Sequence, residues 1–198
     1  AKENRATKKG VGKKLEMPRG NRSERIPTTA EIRQLRRVGK PAFRLVYLAL
    51  LRSGARPNEI CRATLDDIET TPGGVRMIVL AEHKTARKTG KPRRIPIGKK
   101  LERLIDRSVG SRTTGPLFLS PRGRVWQPSN LSRTLKELRR KAGFSDDLFL
   151  YCARHHKETT VCRNHGIQAA SQVLGHTQLS TTQRYVHLSE QEIADYQD

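Results

Sequence analysis

The sequence has few cysteines, few aromatic residues and no long apolar run, and each shortage excludes a class of protein. Three cysteines in 198 residues are too few, and odd in number, for a disulfide scaffold, so the chain suits a reducing compartment such as the cytoplasm. No stretch approaches the roughly 18 apolar residues that a membrane span needs, and no signal-peptide pattern opens the chain. The 34% of hydrophobic residues is enough for one ordinary core. We expect a cytoplasmic globular protein with no membrane partner.

Acidic residues are also scarce, with 19 Asp and Glu against 40 Lys and Arg, so the formal net charge is +21. An excess of this size favours a polyanionic partner, and nucleic acid is the commonest one. The chain has neither a G-x-x-x-x-G-K-[ST] loop nor a G-x-G-x-x-G turn after a strand. Nothing therefore favours nucleotide hydrolysis or redox chemistry, and we expect no cofactor.

The chain divides into three parts by composition. Residues 1–25 carry nine Lys and Arg against three Glu with few apolar residues, which predicts a basic linker arm that is flexible without DNA. Residues 26–189 hold the apolar periodicities of a folded domain, and residues 190–198 form a short tail. Because the first residue is alanine and not an initiator methionine, we expect a fragment of a longer protein.

The apolar spacing predicts a mainly helical α+β domain with one small antiparallel sheet. Phe43, Val46, Tyr47, Leu50 and Leu51 are the expected core of the second helix. Two β-rich runs, 75–80 and 93–97, flank the turn-forming residues 88–92, which predicts a hairpin with a very basic tip. The acidic stretch 66–69 is interpreted as a turn. The expected helices cover residues 30–38, 41–53, 57–63, 99–109, 128–142, 154–165, 168–174 and 180–185.

Four short motifs follow one another along the chain. Gly54-Ala55-Arg56-Pro57-Asn58-Glu59 comes first, Tyr151-Cys152-Ala153-Arg154 and Leu174-Gly175-His176 follow, and Tyr185 lies nine residues beyond His176. These motifs resemble G-x-R-x-x-E, H-x-x-R, L-G-H and the spaced tyrosine of the tyrosine recombinase (phage integrase) family, over residues 28 to 189. The resemblance implies the catalytic-domain fold of that family, with a three-stranded sheet, and an N-terminal core-binding domain that this chain does not contain.

The resemblance also implies the chemistry. It identifies the chain as an integrase that cuts and rejoins DNA strands through a 3′-phosphotyrosine intermediate, for integration or excision of a mobile element. Tyr185 is then the nucleophile, Arg56 and Arg154 clamp the phosphate, and His176 donates a hydrogen bond to it. Lys84 is the general acid on the hairpin, with Lys88 as the alternative in that role. Fixed cations make a metal unnecessary for this reaction.

Three features need a separate interpretation. Tyr151 stands where the family most often has histidine, and a phenol can donate to a phosphate oxygen but is a poor base at neutral pH. Glu59 is interpreted as a structural partner that positions an arginine. Cys152, His156, Cys162 and His165 are metal-type residues whose spacing matches no common zinc motif, so we expect no metal.

The expected partner is double-stranded DNA, held by a self-associated tetramer in a prokaryotic or phage-infected cytoplasm, at the nucleoid. Helix 128–142 is a candidate for base contacts and the hairpin for further DNA contacts. The candidate DNA-binding residues are Lys88, Lys91, Arg93, Arg133, Lys136, Arg139 and Arg140. A non-catalytic DNA-binding module and a type IB topoisomerase are the alternatives, and the recombinase motifs favour the first interpretation.

Overall fold

The computed structural model describes residues 25–82 and 90–176, and within them the expected α+β class, mainly helical with a small antiparallel sheet, is confirmed. A 3-10 turn, Leu65–Asp67, precedes the first strand. The helices are α1 (Thr29–Val38), α2 (Pro41–Ser53), α3 (Pro57–Arg62), α4 (Lys99–Val109), α5 (Pro128–Lys141) and α6 (Tyr151–Leu174), and the strands are β1 (Ile68–Thr70), β2 (Arg76–Leu80) and β3 (Arg93–Pro96).

The first two helices begin and end at residues with a local physical reason. The Thr28 side chain accepts from the backbone N–H of Glu31, and the Glu31 carboxylate accepts from the backbone N–H of Thr28, so α1 has a reciprocal capping box. Pro41 occupies the first turn of α2, where no backbone donor is needed. Gly54 ends α2 in the left-handed conformation at φ 66°.

The sheet has the order β1-β2-β3, and both pairings are antiparallel. Ile78 lies opposite Ile68 on one side and Ile95 on the other, and both Ile78 and Ile95 are fully buried. The interpretation of residues 66–69 as a turn is wrong for the last two of them, because β1 begins at Ile68. A strand of three residues is too short to show an alternating pattern, so only the family resemblance implied it.

Helix α2 is the centre of the core. It packs against α4 and α6, and its ring pair Phe43 and Tyr47 stacks at 5.4 Å between centroids. The five α2 residues expected in the core are all buried, which confirms that prediction. Val38, the last residue of α1, is exposed. No helix in the described ranges combines the length and apolarity needed to cross a bilayer.

Helix α6 carries the second half of the motifs. The sequence predicted two helices, 154–165 and 168–174, and the structure has one element from Tyr151 to Leu174 whose backbone is non-helical at Gly166 (φ 79°, ψ 170°). The predicted break is therefore present, but the helix begins one turn earlier than expected. Tyr151 and Arg154 consequently lie one turn apart on the same helix.

Gly54, at the end of α2, packs closely against α6. A Cβ atom at this residue would lie 2.6 Å from Leu174 Cδ2 and 2.8 Å from Lys157 Cγ, closer than real Cβ contacts allow. The glycine therefore does two things: it adopts a positive φ, and it lets α6 approach the end of α2.

We predict that Gly54→Ala lowers the free energy of unfolding by clearly more than the roughly 1–2 kcal/mol that a left-handed alanine costs. The matched control is Gly74→Ala, because Gly74 also has a positive φ (75°) but no atom within 4 Å of its Cβ position. Urea unfolding of the two variants measures the difference. Equal losses would show that α6 moves aside without penalty.

Candidate active site

Arg56 is held by a carboxylate three residues further along the chain. It is the N-cap of α3, where its backbone N–H donates to Glu59 Oε2 at 2.8 Å and its Nη1 donates to Glu59 Oε1 at 2.8 Å. The Glu59 side chain is 4% exposed, and that of Arg56 is 16% exposed. One buried carboxylate thus orients both the backbone and the guanidinium, which confirms the prediction that Glu59 positions an arginine.

Arg154 is buried and joins three parts of the fold. Its Nη1 donates to the Gly54 carbonyl at 2.7 Å, and its Nη2 donates to the Leu174 carbonyl at 2.9 Å. Burial, and then the charge of Arg56, lower the pKa of Arg154 to about 10, so its guanidinium stays protonated at pH 7. The side chain thus places a cation between the end of α2 and the end of α6.

His176 completes the cluster just beyond α6. Its Nε2 lies 2.8 Å from Arg154 Nη2, and its Nδ1 lies 3.4 Å from Glu158 Oε1. Burial, and then the charges of Arg154, Arg56 and Arg93, lower the pKa of His176 to about 4. The imidazole is therefore neutral at pH 7, and because Nε2 accepts from a guanidinium that always carries its protons, the single ring proton lies on Nδ1.

Glu158 was not found by sequence reasoning. It is 1% exposed and lies four residues after Arg154, which puts both side chains on one face of α6. The four-residue spacing from Arg154 is the feature of the sequence that indicates a role for Glu158 in the site. A carboxylate one turn from a motif arginine is a candidate for the residue that orients the motif histidine.

Tyr151 lies at the open side of the cluster, 40% exposed. It borders a cleft of about 530 Å³ together with Arg56. The lining of the cleft also includes the end of β2 and the residues after it, Leu80 to Glu82. The hairpin between β2 and β3 therefore begins at the rim of this cleft.

The site carries more positive than negative charge. The charges of Arg56, Arg93 and Arg154 all act on His176, whereas the buried carboxylates among them are Glu59 and Glu158. Guanidinium groups held in place by buried partners form a rigid site that favours an anion with several oxygens. The arrangement can bind a phosphodiester and stabilise additional negative charge that develops on it.

Three of the predicted site residues lie outside the described residues: Tyr185, Lys84 and Lys88. The basic arm 1–25, apart from Arg25, and the tail 190–198 lie outside them as well. The structure places Arg56, Arg154, His176 and Tyr151 in one region around the meeting point of α2, α3 and α6.

The candidate DNA-binding residues fall into two groups. Lys91, Arg133, Lys136 and Arg140 are exposed. Arg139 is not a free surface residue, because its side chain is 11% exposed and its Nη1 donates to the carbonyls of Asp146 and Leu148. It ties the end of α5 to the following loop, which corrects the expected surface position.

Arg93 is the second correction, since it is 5% exposed and its Nη2 donates to the Val173 carbonyl at 2.9 Å. A feature of the sequence indicates the inward position of Arg93. Arg93, Ile95 and Ile97 alternate along one extended run, and all three are buried, whereas Arg94 is exposed.

The metal-type residues near the start of α6 do not converge. Cys152 is buried, and its sulfur accepts from the backbone N–H of Phe149 at 3.4 Å. His165 is exposed beyond the middle of the helix. In residues 25–82 and 90–176, no three His, Cys, Asp or Glu side chains are grouped so that they could hold a metal ion.

The buried neutral imidazole predicts a pH dependence of stability. In the folded protein the pKa of His176 is about 4, whereas its ordinary value is 6.5, so between these pH values the unfolded chain binds a proton that the folded protein does not. Lowering the pH from 6.5 to 5 should therefore reduce the free energy of unfolding by about 2 kcal/mol through this residue. His176→Gln should lose this component, and urea unfolding of both proteins at the two pH values measures it. An unchanged pH dependence in the variant would contradict the assignment.

The comparisons with known proteins agree with the motifs. Residues 22–192 match the phage integrase family model. A tyrosine recombinase XerC of Pelobacter propionicus is 28% identical over 151 residues, which cover 74% of this chain and 47% of that protein. A tyrosine recombinase of Thermosipho africanus is 29% identical over 158 residues, covering 79% of this chain and 52% of that protein. The chain spans about half the length of the curated relatives it matches.

Solved structures share the fold at low sequence identity. The Tn1549 transposon integrase in complex with circular intermediate DNA superposes with a TM-score of 0.70 at 15% identity, covering 92% of this chain and 67% of that one. The XerH recombinase bound to its difH substrate superposes with a TM-score of 0.64 at 17% identity, covering 87% of this chain and 53% of that one. The family match over most of the chain, on a fold that brings the motif residues 56, 154 and 176 together, shows that the chain belongs to the phage integrase family.

Proposed function

We propose that the chain is the catalytic part of a site-specific DNA recombinase, which cuts and rejoins strands through a 3′-phosphotyrosine intermediate. The observation that carries the proposal is the buried contact of Arg154 with His176, beside an Arg56 that Glu59 fixes in place. Such a cluster suits a phosphodiester, because bidentate guanidinium groups match its oxygens and remain charged at any physiological pH. No metal is needed for this step.

A bound phosphate changes the surroundings of His176. A phosphate oxygen can accept the hydrogen bond that Arg154 Nη2 donates to His176 in the DNA-free protein. Nε2 of His176 then faces the phosphate. The negative charges of the phosphate and of Glu158 then both favour the imidazolium form, which donates through Nε2. The low pKa of His176 thus belongs to the DNA-free protein, and DNA binding is accompanied by proton uptake.

Tyr185 is the proposed nucleophile. It lies nine positions beyond His176 along the chain, and a tether of this length spans up to about 30 Å, which permits contact with the cluster. Its oxygen forms a bond to phosphorus as the bond from phosphorus to the 5′ oxygen breaks. The phenol proton passes to a non-bridging oxygen of the phosphate, which becomes more basic as negative charge develops on it, and the guanidinium charges of the site favour the phenolate. The covalent bond retains the energy of the broken linkage, so rejoining needs no ATP.

Lys84 is the proposed general acid that protonates the departing 5′ oxygen. It follows Leu80 by four residues, and Leu80 lies both at the end of β2 and at the cleft that Arg56 borders. An extended tether of this length reaches about 13 Å at most, which is short enough for the proposed role of Lys84 at the cleft. Lys88 is the alternative, tethered by five residues to Arg93 on the other strand.

The proposed partner is double-stranded DNA, bound by a tetramer in the cytoplasm, at the nucleoid. The exposed Lys91, Arg133, Lys136 and Arg140, together with the basic arm 1–25, supply phosphate contacts that salt weakens. The relatives with solved structures include a transposon integrase on circular intermediate DNA and a lambda integrase dimer on a core site. We propose integration or excision of a mobile element on that basis.

One observation favours a second candidate function, a recombinase-like module that binds DNA without cutting it. Tyr151 borders the cleft where the family most often has histidine, and a phenol is a weak base. Its exposed hydroxyl can still donate to a phosphate oxygen, so DNA binding survives even if the chemistry is slow.

We predict that the protein forms a covalent complex with a nicked suicide duplex drawn from DNA that flanks the mobile element. Tyr185→Phe should abolish the shifted band on a denaturing gel, because no oxygen remains to attack phosphorus. The matched control is Tyr196→Phe, which removes a second phenol from the same end of the chain and should leave the band unchanged.

A band that persists in Tyr185→Phe would assign the nucleophile to another residue. Salt-sensitive DNA binding without any band in the unaltered protein would favour the non-catalytic module, or a fragment that needs its core-binding domain for cleavage. Restoring the band with Tyr151→His would then favour the former explanation.

A second prediction concerns Tyr151 in the active protein. Tyr151→Phe should slow single-turnover cleavage by about tenfold, the effect of losing one hydrogen bond to a charged oxygen. Tyr151→His should accelerate cleavage, since imidazole accepts a proton near neutral pH. The side chain is 40% exposed, so both variants should unfold at the same temperature as the original protein. Equal rates in all three would remove Tyr151 from the reaction.

A further inference from the structure

Arg93 is buried although it follows the basic tip of the hairpin. On β3 its Nη2 donates to the Val173 carbonyl at 2.9 Å, and its Nη1 donates to the carbonyl of Arg94. Burial lowers the pKa of Arg93, and Glu59 opposes that shift. A buried arginine that served only to pair its own charge could be replaced by an apolar residue with little loss of stability. The groups that Arg93 contacts therefore indicate its role.

Two buried arginines share the end of α6. Arg93 donates a hydrogen bond to the Val173 carbonyl, and Arg154 donates one to the Leu174 carbonyl. The last carbonyls of a helix have no intrahelical donor, so side chains that donate to them fix the direction in which the chain leaves the helix. The next two residues are Gly175 and His176. The position of the imidazole therefore depends on both arginines.

Gly175 shows how closely Arg93 approaches this turn. The residue is left-handed at φ 63°, and a Cβ atom there would overlap Arg93 Nη1 and lie 2.9 Å from its Cζ. The glycine of the Leu174-Gly175-His176 motif thus leaves room for a guanidinium that comes from another element.

Arg93 also contacts the part of the site that Glu59 and Arg56 form. Its Nε lies 3.8 Å from Glu59 Oε2, and the same oxygen accepts from the backbone N–H of Arg56. Glu59 therefore stands between Arg56 and Arg93, both of which it attracts. One guanidinium contacts the partner of Arg56 and the turn that carries His176.

We propose that Arg93 is a positioning residue that joins the Gly175–His176 turn to the Glu59–Arg56 pair and so holds the two halves of the phosphate site together. It acts through Val173 and Glu59 and touches no substrate. The catalytic consequence rests on the proposed function, whereas the effect on the geometry of His176 does not.

The position of Arg93 in the sheet brings it close to the cleft. Arg93 is paired with Leu80 across β2 and β3, and Leu80 lines the cleft together with Arg56 and Tyr151.

The test compares Arg93→Gln with Arg94→Gln in the DNA-free protein. Arg94 is the adjacent residue of β3, is exposed, and is the matched control for loss of one positive charge. The imidazole NMR signals of His176, assigned with His176→Gln, are followed against pH. Arg93→Gln should shift these signals and raise the titration midpoint above about 4, and Arg94→Gln should leave both unchanged.

The second measurement separates positioning from DNA contact. For Arg93→Gln we expect DNA affinity within about twofold of the original protein with the same salt dependence, and single-turnover cleavage slower by about ten- to a hundredfold. A phosphate contact would instead weaken binding and reduce the salt slope by about one. Arg93→Lys should recover part of the cleavage rate, since an ammonium can reach one of the two partners but not both.

Unchanged His176 signals in a folded Arg93→Gln protein would overturn the proposal, as would weaker binding with an unchanged cleavage rate. If Arg93→Gln does not fold, the same measurements on Arg93→Lys decide the matter, with smaller shifts expected in the same direction. If the unaltered protein forms no covalent complex with any duplex, the proposed function fails. The NMR comparison then still decides whether Arg93 positions His176.

Discussion

The guanidinium of Arg154 donates to the end of α2 at Gly54, to the end of α6 at Leu174, and lies against the imidazole of His176. The rest of the site depends on this buried cation. Gly54 has no side chain, so α6 can come close enough for the contact. A charge removed from water needs nearly all of its hydrogens taken by acceptors, and carbonyls at helix ends are acceptors without intrahelical partners.

Electrostatics and packing both hold the cations of the site in fixed positions. Arg56, Arg93 and Arg154 repel one another, and Glu59 attracts all three of them. Glu158 attracts Arg154 and lies against His176. A phosphate entering such a site meets cations that are already in place, so little reorganisation is needed when charge develops on it. Burial, and then the same excess of positive charge, lower the pKa of His176 and keep it neutral, and a bound anion opposes the contribution of the positive charges.

Much of the fold could be predicted from local signals. The caps at Thr28 and Gly54 determine where the first helices begin and end, and the alternation around Ile95 predicts an inward-facing strand. The edge strand β1 could not be predicted from its own three residues, because its pairing with β2 defines it. Arg93 and Arg139 were expected on the surface because each belongs to a run of basic residues. The alternation of Arg93 with Ile95 and Ile97 marks its inward position, whereas Arg139 turns inward through tertiary contacts with the carbonyls of Asp146 and Leu148.

The sequence by itself determined the order and spacing of the motif residues, the excess of positive charge and the two helix-ending glycines, because these depend on residue types and on local conformation. Tertiary structure alone decided that Glu158 faces His176, that Arg93 bridges Val173 and Glu59, and that the ring proton of His176 lies on Nδ1. These contacts join residues on different turns and different elements. Their distances arise only when α2, β3 and α6 pack around the same buried charges.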